Sequence, residues 1–427
     1  GWKSMLYLTL TGRNDWASQL ANSSTSSFFY PSVGLSGVIS EMIQMPSFID
    51  YMKVRGSFSS VGMPYPRNLT SPTYEYNEAT QSWKPKTHYP IGDLKPERTD
   101  SWEVGLDMKL FKDFNLGLSW YLANTFNQTF DPQISVSSGY TTIYLQTGYV
   151  RNTGLELSLG YGHTWNNNFR WDSNFTLSHN KNKIKELVRD YVHPETGELI
   201  NKDRLDVGGL GKARFILKEG GTLGDLYTQS DLKRDDNGMV DIDPTGIVAI
   251  ENNLPDIKLG SVFPKANLAW SNHFSWKGIS LSALFTARIG GIVYSATEAA
   301  MDQYGVSERS ALARDNGGVL VNNRTLVDAQ NYYTTIGSES GLPQYYTYNA
   351  TNVRLQEASI GYLIPRKWLG NVCDIQVSVI GRNLWMIYNK APFDPESVAT
   401  TDNYYQGIDY FMLPSTRNIG FNVKINF

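Results

Sequence analysis

Five histidines, His88, His163, His179, His193 and His273, are the side chains best suited to moving protons near neutral pH. They are scattered, and none stands beside a serine in a G-x-S-x-G nucleophile elbow. The chain contains no phosphate-binding P-loop and no dinucleotide-binding glycine fingerprint. A Ser/His pair meeting in space would make a barrel hydrolase, but the sequence displays no acid–base constellation. The expectation is therefore a protein that is not an enzyme and carries no cofactor. For metals, the segment Asp231–Asp243 (DLKRDDNGMVDID) places Asp235, Asn237 and Gly238 as a calcium loop would. Its first ligand position would be Lys233 and its last Pro244, where an EF-hand needs Asp and Glu, so a plain Asp-Asn-Gly turn is expected. The single cysteine, Cys373, excludes an internal disulfide and a Cys/His zinc cluster, so no metal site is expected.

The chemistry that remains is binding. Tyr65, Tyr74, Tyr76 and Trp83, then Tyr140 and Tyr144, then Tyr332, Tyr333, Tyr345, Tyr346 and Tyr348, and finally Tyr404, Tyr405, Tyr410 and Phe411 cluster in polar stretches between the periodic segments. Flat rings bearing hydroxyls suit sugar faces and peptide backbones. They equally suit a protein partner or packing of the loops on one another, and the sequence leaves these three open. Trp83, Tyr140, Tyr144, Tyr345, Tyr346, Tyr404 and Tyr405 are the candidate substrate or lid contacts.

The elements that must carry these loops are strands. The chain has 427 residues, a formal net charge of −3, 13 % aromatics and 37 glycines, with no charge bias that would attract nucleic acid. A mean hydropathy of −0.35 is too polar for a helical membrane protein. It fits a transmembrane barrel, in which only alternate strand residues face lipid. No run of ~18 apolar residues is present to form a membrane helix. The start at Gly1-Trp2 has no Met, basic n-region or apolar h-region, as in a mature export product or a fragment of a longer chain.

Period-2 alternation marks about twelve strands. Ile419, Phe421, Val423, Ile425 and Phe427 share one face, and Asn418, Gly420, Asn422, Lys424 and Asn426 the other. Trp102 to Leu110, Phe114 to Leu122, Tyr149 to Tyr161, Phe169 to Leu177 and Ile279 to Ile289 behave alike. Weaker segments are 3–12, 28–40, 51–60, 265–275, 351–363 and 372–386, with a phase change near Glu357 that predicts a bulge. The connections alternate in length. Short ones at 41–50, 111–113, 164–168, 276–278 and 364–371 separate long ones at 13–27, 61–97, 129–147, 181–264, 293–350 and 387–414. Outer-membrane barrels sort short periplasmic turns from long external loops in this way. Trp102, Trp120, Tyr161, Trp165, Trp171, Trp270, Trp276, Tyr362 and Trp368 are expected near strand ends as interfacial girdles. The fold class is thus all-β, a transmembrane antiparallel β-barrel or part of one.

Seven segments then resemble the SusC/RagA family of TonB-dependent outer-membrane transporters of Bacteroidetes. They are LTGRNDWAS at 10–18 with FFYPSVGLSGVISE at 28–41, LKPERTDSWEVGLDMKLF at 94–111, VRNTGLELSL at 150–159, WSNHFSWKGISLSALFTARIGG at 270–291, NVRLQEASIGYLIP at 352–365, GRNLWMIYNKAPFDPES at 381–397 and PSTRNIGFNVKINF at 414–427. The fifth departs from the family pattern, with Leu355-Gln356 where Leu-Arg is usual.

The resemblance implies a barrel of about 22 strands around an N-terminal plug. Residues 1–427 would be its C-terminal portion, with the plug, the TonB box and the other strands elsewhere. It implies uptake of oligosaccharides or peptides, driven through TonB, with a SusD-like surface lipoprotein as a lid and with 61–97, 181–264 and 293–350 as the main contact loops. Gly381, Arg382, Asn383, Asp394, Pro395, Glu396 and Phe427 match family motif positions and read as structural, the first six shaping the last external loop. Arg382 facing a watery lumen is a comparable reading. A self-contained twelve-stranded passive channel is the alternative and requires 3–12 to pair with 415–427. A barrel hydrolase and an adhesive barrel follow it.

Overall fold

The computed structural model describes residues 1–20, 23–63, 74–84, 88–89, 95–130, 140–143, 145–165, 168–192, 199–338, 341–401 and 405–426. Twelve strands form one antiparallel sheet in sequence order. They are β1 Leu6–Trp16, β2 Ser27–Val38, β3 Ile49–Met63, β4 Glu97–Leu110, β5 Phe114–Phe130 and β6 Leu145–Thr164. The second half comprises β7 Arg170–Glu186, β8 Ala266–Trp276, β9 Ile279–Ile289, β10 Asn352–Ile364, β11 Asp374–Asn389 and β12 Asn418–Asn426. Every expected strand is present. Among the described residues, β1 pairs only with β2 and β12 only with β11, so the sheet keeps two free edges there. The pairing required by a closed twelve-stranded channel is not made among them.

Register explains the alternation. Leu106, Leu118, Leu157, Leu177, Leu268 and Ala287 lie directly across from one another through β4 to β9. The next row over is Gly105, Ser119, Glu156, Ser178, Asn267 and Arg288. One face is apolar and the other polar over the whole width, and the apolar face includes exposed Val104, Leu281, Ile360, Val379 and Phe421. A soluble protein would cover such a face; hydrocarbon covers it here. The predicted phase change is a bulge at Gln356, which has no partner on β9 or β11, while Leu284 pairs with Glu357 and Phe285 with Leu355.

Five connections, 39–48, 111–113, 165–169, 277–278 and 365–373, lie at one end of the sheet. Tight turns there use left-handed backbone, at Phe111 and Lys112 and at Lys277 and Gly278, as two- and three-residue hairpins require. The other end carries 64–96, 131–144, 187–265, 290–351 and 390–417. One expectation fails: 17–26 is no longer than 39–48, because β1 runs on to Trp16. Aromatic rings step along the short-turn end from Phe48 to Phe111, Phe114, Tyr161, Trp171 and Phe274, with neighbouring centroids 4.7–6.5 Å apart. Trp102, Trp120 and Trp270 sit inside β4, β5 and β8 rather than at their ends. With ~3.3 Å per residue and a ~40° tilt, Trp102 stands about 20 Å above the turn at 111–113, near the outer boundary of an apolar band of about 25 Å. The wall strands continue beyond that boundary into the long connections.

Candidate transport path and external cap

The polar face of the sheet is laced with charge. Arg55 on β3 donates to Glu103 (3.1 Å), Asp107 (2.9 Å) and Ser119 (2.5 Å) on the next two strands. Arg382 on β11 donates to Glu357 on β10 at 2.8 Å. Near the short turns, Arg170 pairs with Asp172 at 2.6 Å, and His163 lies 2.8 Å from Asp113. A hollow of about 1020 Å³ is lined by Asp107, Lys109, Asn115, Asp172, His273 and Glu357, which come from five strands. A second, of about 720 Å³, continues past Ser119, Glu156, Ser178 and Arg288 towards Glu396 in the last long connection. The face is therefore a polar trough running between the cap and the short turns.

The cap is built from the long connections. Segment 204–261 contributes an antiparallel sheet of Arg204–Leu210, Ala213–Lys218, Asp225–Thr228 and Ile257–Ser261. Segment 290–351 contributes α1 Ala296–Gln303, α2 Glu308–Asp315 and α3 Ala329–Gly337. Ser295, Ser307 and Asp328 cap these helices by accepting the N–H of Glu298, Ser310 and Asn331. The Ser295-x-x-Glu298 spacing is a capping-box signal that announces α1 in the sequence. Phe215, Leu226, Val262, Tyr294, Ile336, Leu342, Tyr346 and Ile408 form one core drawn from three separate connections.

Buried charges pin that core. Asp302 accepts from Ser307 and from the Tyr346 hydroxyl (2.9 Å), and Arg309 lies 2.7 Å from it and 4.7 Å above the Tyr346 ring. Burial, reinforced by Asp302, pushes the Tyr346 phenol well above its usual range. The hydrogen bond from Arg204 (2.7 Å), aided by Lys218 (2.9 Å), holds the Asp256 carboxyl well below the usual carboxylate range. Asp394 is also lowered: burial alone would raise it, but Arg354 outweighs that. A lowered carboxyl stabilises the fold above its unfolded pKa, and that contribution is lost as pH falls through the folded value. We expect the cap to resist pepsin down to about pH 4 and to lose protection at 199–265 below it, with Asp256→Asn cleaved throughout the range. Protection of the unsubstituted cap that does not change on further acidification would refute this.

The candidate contacts fall into different places. Trp83 is exposed and sits 5.1 Å from the Tyr76 ring. Tyr140 and Tyr345 are half-buried, Tyr345 against the cap core. Tyr346 is a correction: it has no exposed surface, because its ring fills the core and its hydroxyl serves Asp302, so loop self-packing accounts for it. Tyr405 is exposed, its ring 6.0 Å from Phe215. Tyr144, Tyr404 and Phe427 lie outside the described residues.

The motif residues divide as well. Gly381, Arg382 and Asn383 belong to β11, not to the last external loop; Arg382 lies on the polar trough, and Asn383 donates to the Thr416 carbonyl at 3.2 Å. Asp394, Pro395 and Glu396 do lie in that loop. Arg354 grips Asp394 and Glu396, a role its sequence neighbours do not signal because these partners stand some forty residues on. Arg354 is buried, donates to both Asp394 oxygens (2.8 and 3.1 Å) and to Asn352, and lies 3.3 Å from Glu396. Asp235 accepts the N–H of Asn237 and of Met239, each at 2.9 Å, as a turn does.

The family model described as TonB dependent receptor-like, beta-barrel matches residues 2–384. Among curated proteins, TonB-dependent receptor P3 of Formosa agariphila is 24 % identical over 463 residues, covering 99 % of this chain and 44 % of the receptor. TonB-dependent receptor P26 of the same organism is 24 % identical over 461 residues, covering 100 % of this chain and 45 % of the receptor. The chain thus spans about half the length of these relatives. Solved structures of the RagAB peptide importer superpose over 100 % of this chain and 46 % of theirs at 18 % identity, with TM-scores of 0.74 in the open-open state and 0.76 in the closed-closed state. The amphipathic wall, the sorted connections and the matched family model agree with the SusC/RagA resemblance, and the chain belongs to the TonB-dependent receptor-like β-barrel family of the outer membrane.

Proposed function

We propose that residues 1–427 are the C-terminal wall and external cap of a TonB-dependent importer of oligosaccharides or peptides. The observation that carries this reading is the continuous polar trough beneath a cap with its own core, on a wall whose other face is apolar. It is a route for a bulky hydrated solute rather than a catalytic site. The two free edges call for further strands, and the relatives' greater length supplies room for them, for a plug and for a TonB box. A SusD-like lipoprotein would close the mouth above the cap. The test is purification of the native protein from its own membrane, with intact mass measured and co-purifying chains identified. A species of roughly twice 48.1 kDa with an associated lipoprotein is expected. Uptake by the intact cells should stop when TonB is removed. A lone species of 48.1 kDa, or uptake indifferent to TonB, overturns the proposal.

A further inference from the structure

A cavity of about 510 Å³ opens in the cap, apart from the trough. This is the size of an ordinary small-ligand site. Its floor is Tyr294 and Ala299 with Gly337 at the end of α3, all buried. Its rim is Tyr304, Tyr410 and Phe411, which are 76 %, 48 % and 60 % exposed. The small residues on α1 leave space where larger ones would fill it.

Two features mark it as built. Tyr294 is 7 % exposed, and its hydroxyl is not sealed away from solvent. Burial pushes its ionisation up to about 12, so it remains a neutral donor. In the cavity wall it can exchange a water for a ligand's hydroxyl. Phe411 holds a left-handed backbone (φ 51°) that costs a bulky residue energy. Its N–H donates to the Thr297 hydroxyl at 2.7 Å, which fixes the ring at the rim, 5.1 Å from Tyr410.

Among the described residues, no side chain lining the cavity is charged. A phosphate, carboxylate or ammonium entering it would shed water without gaining a counter-charge from them. Aromatic faces, the Gln303 amide and phenol hydroxyls remain to make contacts. That set matches a pyranose ring, whose C–H face lies on an aromatic ring and whose hydroxyl edge takes and gives hydrogen bonds. We propose that this cavity is a surface subsite for one residue of an uncharged oligosaccharide. The subsite would capture saccharide on the importer proposed above, and so rests on that reading for its purpose but not for its binding.

The test is calorimetry on the purified full-length protein in detergent, which needs no energy source. The probes are neutral gluco-, manno-, galacto- and xylo-configured hexasaccharides and N-acetylated, C-amidated peptides. Saturable binding of at least one saccharide is expected. Tyr294→Phe should weaken it about fivefold and Phe411→Ala about tenfold, with unfolding temperatures unchanged. Absence of saccharide binding, binding unaffected by both substitutions, or peptide binding that the substitutions abolish would each overturn the saccharide assignment. Binding that follows these expectations in a protein showing no TonB-dependent uptake would sink the importer reading and leave the subsite standing.

Discussion

Replacing Arg354 with alanine is expected to destabilise the protein by about 3–5 kcal/mol, the cost of breaking a buried ion pair from one side. The guanidinium and Asp394 are each almost fully enclosed, at 5 % and 8 % side-chain exposure, and Glu396 and Asn352 share the same arginine. Removing it strands a buried carboxylate. It also unfastens 390–417 from the top of β10, and that connection delivers Ile408 to the cap core. The measurement is thermal unfolding of the full-length protein in detergent, read from the heat-dependent gel shift. Adding Asp394→Ala and Glu396→Ala to Arg354→Ala should recover part of the loss, because no buried carboxylate is then left unpaired. A single Arg354→Ala variant that melts like the unsubstituted protein would show the clamp to be idle.

The second large effect is on the outer face. Leu157→Arg, in the middle of the leucine row across β4 to β8, is expected to cost about 2–4 kcal/mol at the bilayer midplane. Ser178→Arg, one row away and turned to the trough beside Glu156, should change stability by less than about 0.5 kcal/mol. The two positions are close in space and differ chiefly in which side of the sheet they occupy. Folding yield into lipid vesicles under increasing urea compares them directly. Equal losses would mean that the row does not face hydrocarbon.

The wall was legible because the physics that makes it acts locally. A strand between lipid and water alternates with period two, so Ile279–Ile289 announces itself residue by residue. The bulge was read one residue away from where it lies, at Gln356, because an inserted residue shifts the phase without marking which position is extra. The cap was not legible in the same way. Tyr346 and Tyr405 look alike in sequence, and only the arrival of α1 and α3 from other parts of the connection buries one and leaves the other exposed. Arg354 was missed for a related reason: its partners stand forty residues on, at Asp394, and its role depends on that fold-back. α1 and α2 carry short capping signals, but α3 at Ala329–Gly337 lies in a tyrosine-rich stretch whose residue types suit ligand contact as well as packing.

The shared core of the cap has a bearing on how such receptors diversify. Phe215, Tyr346 and Ile408 meet although each belongs to a different connection. A recombination event that exchanged one of these connections alone would import an apolar face cut to fit another protein's neighbours. The chimera would carry an intact wall and a cap that could not close. Novelty at the mouth must then be inherited as a set of three, or arise by point changes at rim residues such as Phe411 that the core does not use. Breeding new specificities into this scaffold would follow the same grain: transplant 187–265, 290–351 and 390–417 together, and leave the barrel as it is.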